Sequence, residues 1–158
     1  MTDNLKIGAW MKRDIVAVHA SMSVKEAAAL LVDRRVGTLP VLDEDGVLIG
    51  VTTITDITHI FLPDFISLLA DIDFVKDFGA LKTPSKENLE RAETLTVADI
   101  MEEPMAEEED CSLVRALSVM EKHNLADLLV VRDRQLVGIA SRVDIGRAFL
   151  TTWLKAEA

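Results

Sequence analysis

A chain of 158 residues, 49% hydrophobic and 28% charged, can bury a core and is not a disordered polymer. A formal net charge of −10 excludes a nucleic-acid backbone or an anionic membrane surface as the main partner, since neither attracts an acidic protein. Cys111 is the only cysteine, so neither an intrachain disulfide nor a cysteine-based zinc site can form.

The N-terminal stretch "MTDNLKIGAWMKRD" has no long apolar core and no signal-peptide cleavage pattern. The most apolar run, Ile57 to Ile72, is broken by Pro63, Asp64 and Asp71 and is too short and polar to span a bilayer. The expected location is the cytoplasm. Ser23 with Glu26 three residues on is a capping box, predicting a helix whose apolar stripe includes Val24, Ala27, Ala28 and Leu31. "TLPVL" and "VLIGVT" predict two strands, and the Asp-Gly of "DEDG" between them signals a hairpin. "GVTTITDI", Gly50 to Ile57, leads into a second helix expected from Asp56 to about Leu62 and ended by Pro63.

Residues 58–95 carry four of the five phenylalanines, Phe61, Phe65, Phe74 and Phe78, as two i,i+4 pairs that can each lie on one helix face. Three uses fit that pattern: packing against the body, a subunit interface, or a lid over a ligand. "KTPSKENLERAETL" (82–95) reads as a solvated helical or loose linker. Ser112 then starts a helix with Leu113, Ala116, Leu117 and Met120 on one face, ending near Asn124, which tolerates the left-handed conformation. "DLLVV", the turn "RDRQ" and "LVGIA" repeat the hairpin, and "GIASRVDI", Gly138 to Ile145, opens a last helix from Asp144 to about Leu154.

These elements form a duplication. "IGAWM" (7–11) aligns with "VADIM" (97–101), and residues 23–57 align with 112–145 after two one-residue adjustments. Each half predicts strand–helix–strand–strand–helix. At about 55 residues each unit is marginal alone, so the two small sheets are expected to pair.

The doubled Gly-x-x-(Thr/Ser)-x-x-Asp admits two readings. Thr53 with Asp56, and Ser141 with Asp144, are what a helix N-terminus wants, worth about 1 kcal/mol per cap. The same geometry suits a ribose phosphate. Unpaired helix N–H groups and the hydroxyl meet phosphate, while an ionised Asp accepts from a ribose diol. Such charge-assisted bonds contribute roughly 1.5–3 kcal/mol each. Gly50, lacking a Cβ, would permit close approach.

The duplicated "TLPVLDEDGVLIGVTTITDI" and "LLVVRDRQLVGIASRVDI" resemble a tandem pair of cystathionine-β-synthase (CBS) domains, often called a Bateman module, over about residues 7–61 and 97–150. The resemblance implies an α+β fold. Two β-α-β-β-α units with pseudo-twofold symmetry pack through their small sheets, with a helical insertion between them. It implies a first unit at 1–61, an insertion and linker at 62–95, and a second unit at 96–158. It implies clefts that bind AMP, ADP, ATP or S-adenosylmethionine. Thr53 and Ser141 lie on the phosphate side, and Asp56 and Asp144 on the ribose. The base is expected against Val16–Val18 with Thr38, Leu39 and Pro40, and against Met105–Glu107 with Asp127, Leu128 and Leu129. Arg142 is a candidate phosphate partner in the second unit, where the first has only Ile54 and Thr55.

Glu107, Glu108, Glu109 and Asp110 stand where an apolar segment is expected near the base; they read as a solvated loop, a Mg²⁺ site or a repellent of polyphosphate. His19, His59 and His123 are isolated, and Trp10 and Trp153 read as packing residues. No metal-ligand cluster, G-x-S-x-G or Walker-type loop is present, so an enzyme is not expected. Two functions remain: an adenosine-ligand sensor acting on an unknown regulated protein in trans, or a ligand-independent dimerisation and scaffold module with vestigial sites. A homodimer is expected under either.

Overall fold

The computed structural model describes residues 5–62 and 86–157. The first half runs β1 (Val18–His19), α1 (Val24–Arg34), β2 (Thr38–Leu42), β3 (Leu48–Thr53) and α2 (Ile54–His59). After α3 (Lys86–Thr94) and α4 (Val97–Ile100), the second half repeats it as β4 (Ala106–Glu108), α5 (Leu113–His123), β5 (Asp127–Arg132), β6 (Gln135–Ser141) and α6 (Arg142–Ala156). The sheets are β1-β2-β3 and β4-β5-β6; in each, the first pair is parallel and the second antiparallel. Phe65, Phe74 and Phe78 lie outside the described residues; Phe61 packs against the first core.

Local chemistry sets the element ends. Ser23 Oγ accepts from Glu26 N at 3.1 Å, and Glu26 Oε2 accepts from Ser23 N at 3.0 Å, closing the expected box at the start of α1. Helices α1 and α5 both end on a left-handed residue, Arg35 (φ 53) and Asn124 (φ 51). The β2–β3 hairpin turns at Gly46 (φ 79), whereas the β5–β6 hairpin uses Asp133 (φ 50) and Arg134 (φ 67), the two positive φ angles of a type I′ turn. Pro40 sits in the central strand β2, but β1 pairs only with Val41 and Leu42, so the proline lies where the ladder has no β1 partner. Leu129, at the same place in the repeat, gains Ala106 as a partner, and β4 is one residue longer. The second helices start two residues earlier than expected, with Thr53 and Ser141 themselves as N-caps.

Each unit has its own core. One is built on Val18, Val24, Ala27, Leu31, Leu39, Val41 and Ile57, the other on Leu113, Ala116, Met120, Leu128, Val130, Ala140 and Ile145. The aligned arms cross over. Fully buried Ile7 belongs to the second core, and fully buried Val97 to the first. Ile7 N donates to Cys111 O at 2.9 Å, and Lys12 and Ile139 exchange backbone bonds of 2.8 and 2.9 Å. In the mirror arrangement Val97 N donates to Met22 O at 2.8 Å, and Val51 and Glu102 exchange bonds of 3.0 and 2.9 Å. Each buried branched side chain contributes about 1.5–3 kcal/mol, so the exchange ties two marginal units into one structure.

Trp10 packs against the second core, as expected for a packing residue. Trp153 does not; it is 53% exposed on α6. Burial, then the nearby Glu107 carboxylate, push the Cys111 thiol up to about 11, so it stays protonated and unreactive. No helix among the described residues is long and apolar enough to cross a membrane.

Candidate functional site

The two motifs form the same cap. Thr53 N and Oγ1 donate to Asp56 Oδ2 at 2.7 and 3.0 Å, and Asp56 N donates back to Thr53 Oγ1 at 3.3 Å. Ser141 N donates to Asp144 Oδ2, and Asp144 N to Ser141 Oγ, both at 3.0 Å. Two further boxes, Ser23 with Glu26 and Thr96 with Asp99, use the same chemistry, so the cap alone marks no site. What sets Thr53–Asp56 and Ser141–Asp144 apart is that each lines a cleft between the units.

The clefts follow from the crossed arms. Ser141 and Asp144 face the arm of the first unit, Lys12, Asp14, Ile15 and Val16, in a cavity of about 180 Å³. Thr53 and Asp56 face the arm of the second, Glu102, Glu103 and Met105, in a cavity of about 490 Å³. The second volume already lies in the range of small-molecule sites. In the first, smaller cleft Lys12 Nζ is 3.7 Å from Asp144 Oδ2, on a side chain 65% exposed. Thr38 and Asp127, equivalent in the repeat, line both clefts, and Thr38 Oγ1 donates to Asp127 Oδ2 at 2.7 Å on the wall they share.

Of the expected base-side residues, Val16, Thr38, Met105, Asp127 and Leu129 line clefts. Val18, Leu39, Pro40 and Leu128 do not: all four are buried, and Val18, Leu39 and Leu128 are core packing. A strand alternates its faces, so one run cannot present every residue to a cleft. The glycines of the motif serve packing. A Cβ on Gly50 would stand 2.7 Å from Met101 Sδ, and one on Gly138 would stand 2.2 Å from Met11 Sδ, so the close neighbour is the crossing arm.

Arg142 is not in either cleft. Its guanidinium donates to Leu125 O at 3.2 and 3.0 Å and to Met120 O at 3.3 Å, and it pairs with Glu121. The left-handed turn at Asn124 brings the carbonyls of Met120 and Leu125 within reach of Arg142; Met120 O also accepts from Leu125 N at 2.9 Å. The acidic run is also elsewhere. Ala106–Glu108 is strand β4, Glu107 pairs with Arg115 at 3.0 Å, and Glu109 pairs with Arg132, whose hydrogen bond holds the Glu109 carboxyl below its ordinary value. Among the described residues no group of His, Cys, Asp and Glu could hold a metal ion. His19 Nδ1 lies 3.2 Å from Leu42 O, His59 ends α2, and His123 lines the Thr53 cleft.

Sequence reasoning missed Lys12, Arg35, Glu102, Glu103 and Asn124, all cleft-lining. The signal was available: extending the "IGAWM"/"VADIM" alignment by two residues sets Lys12-Arg13 against Glu102-Glu103.

Comparison with known proteins agrees with this architecture. The family described as CBS domain matches residues 7–63 and 97–151. YlbB of Bacillus subtilis is 30% identical over 141 residues, 89% of this chain and 79% of that protein. L-aspartate semialdehyde sulfurtransferase of Methanocaldococcus jannaschii is 27% identical over 135 residues, 85% of this chain but 21% of the enzyme's length. The crystal structure of CBSX2 in complex with AMP is 26% identical with a TM-score of 0.69, covering 93% of this chain and 97% of that one. The doubled β-α-β-β-α unit and the two matched segments agree: the chain belongs to the CBS domain family and carries two CBS domains in tandem.

Proposed function

We propose that the protein is a regulatory module that binds an adenosine-type ligand, AMP, ADP, ATP or S-adenosylmethionine, in its inter-unit clefts and acts on a partner protein in trans. One observation carries this reading. Of the four capping boxes among the described residues, only Thr53–Asp56 and Ser141–Asp144 open onto clefts walled by the opposite unit's arm. CBSX2, which was crystallised with AMP and shares the fold, supports it.

Every carboxylate bond of each cap falls on Oδ2, so Oδ1 of Asp56 and of Asp144 can accept from ribose hydroxyls. Thr53 and Ser141 sit beside them for the 5′-substituent, with Val16 or Met105 and the Thr38–Asp127 wall toward the base. A ligand so placed bridges the motif of one unit (1–61 or 96–158) and the arm of the other. It shifts their arrangement by its difference in affinity for the open and closed forms.

Thermal melting with AMP, ADP, ATP and S-adenosylmethionine tests this. A ligand at 100 times its Kd adds about 2.7 kcal/mol, a rise of roughly 5–10 °C for a chain of this size. Asp56→Asn and Asp144→Asn keep an acceptor for the cap and should each reduce the rise. If none of the four ligands raises the wild-type melting temperature, the sensor reading is wrong.

A second reading, a ligand-independent homodimer or scaffold, is favoured by the apolar groove between α5 and α6. There Leu5, Val114, Phe149 and Trp153 are 46%, 63%, 46% and 53% exposed. Light scattering discriminates: a dimer unaffected by nucleotide, without a thermal shift, would favour it, and a monomer at all concentrations would sink it.

A further inference from the structure

We infer that the two clefts sort adenosine ligands by charge. The Ser141 cleft takes an adenosine with an anionic 5′-phosphate, and the Thr53 cleft takes one whose 5′-substituent is cationic, a sulfonium or ammonium. The inference rests on the nucleoside reading of the clefts given above and adds which ligand class each one takes.

The two arms occupy the same place in the repeat and carry opposite charge. Lys12 pairs its backbone with Ile139, and Glu102 pairs its backbone with Val51. Both side chains line the cleft of the opposite unit's motif, as does Glu103 beside Glu102. A second pair of equivalents differs in the same sense. The left-handed residue ending the first long helix is Arg35, and the one ending the second is Asn124; each lines a cleft. Asn is at home in that conformation and Arg is not. Arg35 is exposed. A residue kept against its backbone preference on a cleft wall is a reason to look for a ligand contact.

The balance differs accordingly. In the Ser141 cleft, Lys12 and Arg35 stand against Asp14, Asp127 and Asp144. The Thr53 cleft is lined by Asp56, Glu102, Glu103 and Asp127, with no lysine or arginine among the described residues that line it. Asp127 is common to both, so the arms and helix ends make the difference. A phosphate finds two cations against three carboxylates in one cleft and four carboxylates in the other. A sulfonium or ammonium gains most over a neutral 5′-group in the Thr53 cleft, where the described lining residues set no lysine or arginine against the carboxylates. Lys12 Nζ stands 3.7 Å from Asp144 Oδ2 within the smaller cleft. Lys12 is exposed enough to swing from Asp144 to a phosphate, while Oδ1 of Asp144 already stands open to the ribose.

Calorimetric titration of the full chain with AMP, S-adenosylmethionine and adenosine tests the assignment. Each charged ligand should bind once and still bind with the other saturating. Lys12→Met with Arg35→Asn should weaken AMP about tenfold or more and leave S-adenosylmethionine unchanged. Glu102→Gln with Glu103→Gln should bring S-adenosylmethionine toward the affinity of adenosine and leave AMP unweakened. All four side chains are exposed, and Arg35→Asn installs the residue the conformation prefers, so folded protein is expected and is verified by its melting temperature. If AMP and S-adenosylmethionine bind but compete for one cleft, or each double variant weakens both alike, charge sorting is overturned and the nucleoside reading stands. If none of the three ligands binds wild type, both fall.

Discussion

Replacing Gly138 by Ala probes the crossing of the arms directly. The new Cβ would stand 2.2 Å from Met11 Sδ, 2.8 Å from Met11 Cγ and 3.1 Å from Lys12 O. Such atoms rest at about 3.5–4.0 Å. Met11 is half-buried against the second core, and Lys12 O accepts from Ile139 N at 2.9 Å, so neither side of the contact yields freely. Overpacking of this kind costs about 1–3 kcal/mol, and an overlap this deep belongs at the upper end. Gly138 has no positive φ, so Ala gains about 0.4–1 kcal/mol through the unfolded chain. The net loss is then about 2 kcal/mol, a fall of roughly 4–8 °C in melting temperature. Gly50→Ala should cost less, since its nearest contact is 2.7 Å and its nearest backbone atom, Glu102 O, is at 3.4 Å. The assay is thermal and urea unfolding of Gly138→Ala, Met11→Ala and the double variant. The double variant should recover more than about 1 kcal/mol relative to the sum of the single changes. A Gly138→Ala protein as stable as wild type, or strictly additive single changes, would refute the packing account of the motif glycine.

Arg142→Met should lower the melting temperature by roughly 2–4 °C, because about 1 kcal/mol of bonding to the end of α5 is lost, and should leave the AMP-induced rise intact. Loss of that rise at unchanged basal stability would return Arg142 to the phosphate. Acid stability should carry the signature of the two boxes outside the clefts. Hydrogen bonds from Ser23, backbone first, hold the Glu26 carboxyl below its ordinary value, and those from Thr96 do the same for Asp99. A depressed carboxylate contributes stability that is present above its unfolded pKa, about 4.3 for Glu and 3.9 for Asp, and is lost as pH falls through the folded value. Urea unfolding from pH 6 to pH 3 should therefore show a shallower acid loss for Glu26→Gln with Asp99→Asn than for wild type; an unchanged slope would mean the boxes do not titrate with folding.

The duplicated fold was legible because it rests on local signals that agree. Ser23–Glu26, Ser112, Asn124, Gly46 and the two Thr/Ser-x-x-Asp boxes each name an element end, and the repeat orders them. The site was legible only as far as those same ends. Thr53, Asp56, Ser141 and Asp144 could be read because cap and cleft use one geometry, whereas the opposite wall depends on which unit each arm joins. Nothing local distinguishes an arm that packs on its own sheet from one that crosses over; Ile7 and Val97 are apolar in either case. The crossing also exchanges the charges. Arg142 is near the Ser141 motif in sequence but is drawn to the carbonyls of Met120 and Leu125 at the end of α5, and Lys12, remote in sequence, lies by Asp144 instead. The same step puts Glu102 and Glu103, rather than the more conspicuous Glu107–Asp110 run, against the Thr53 motif. An asymmetry between the clefts could therefore be expected from sequence, but its carriers follow from a long-range exchange of arms that pairs each motif with the charge of the other half.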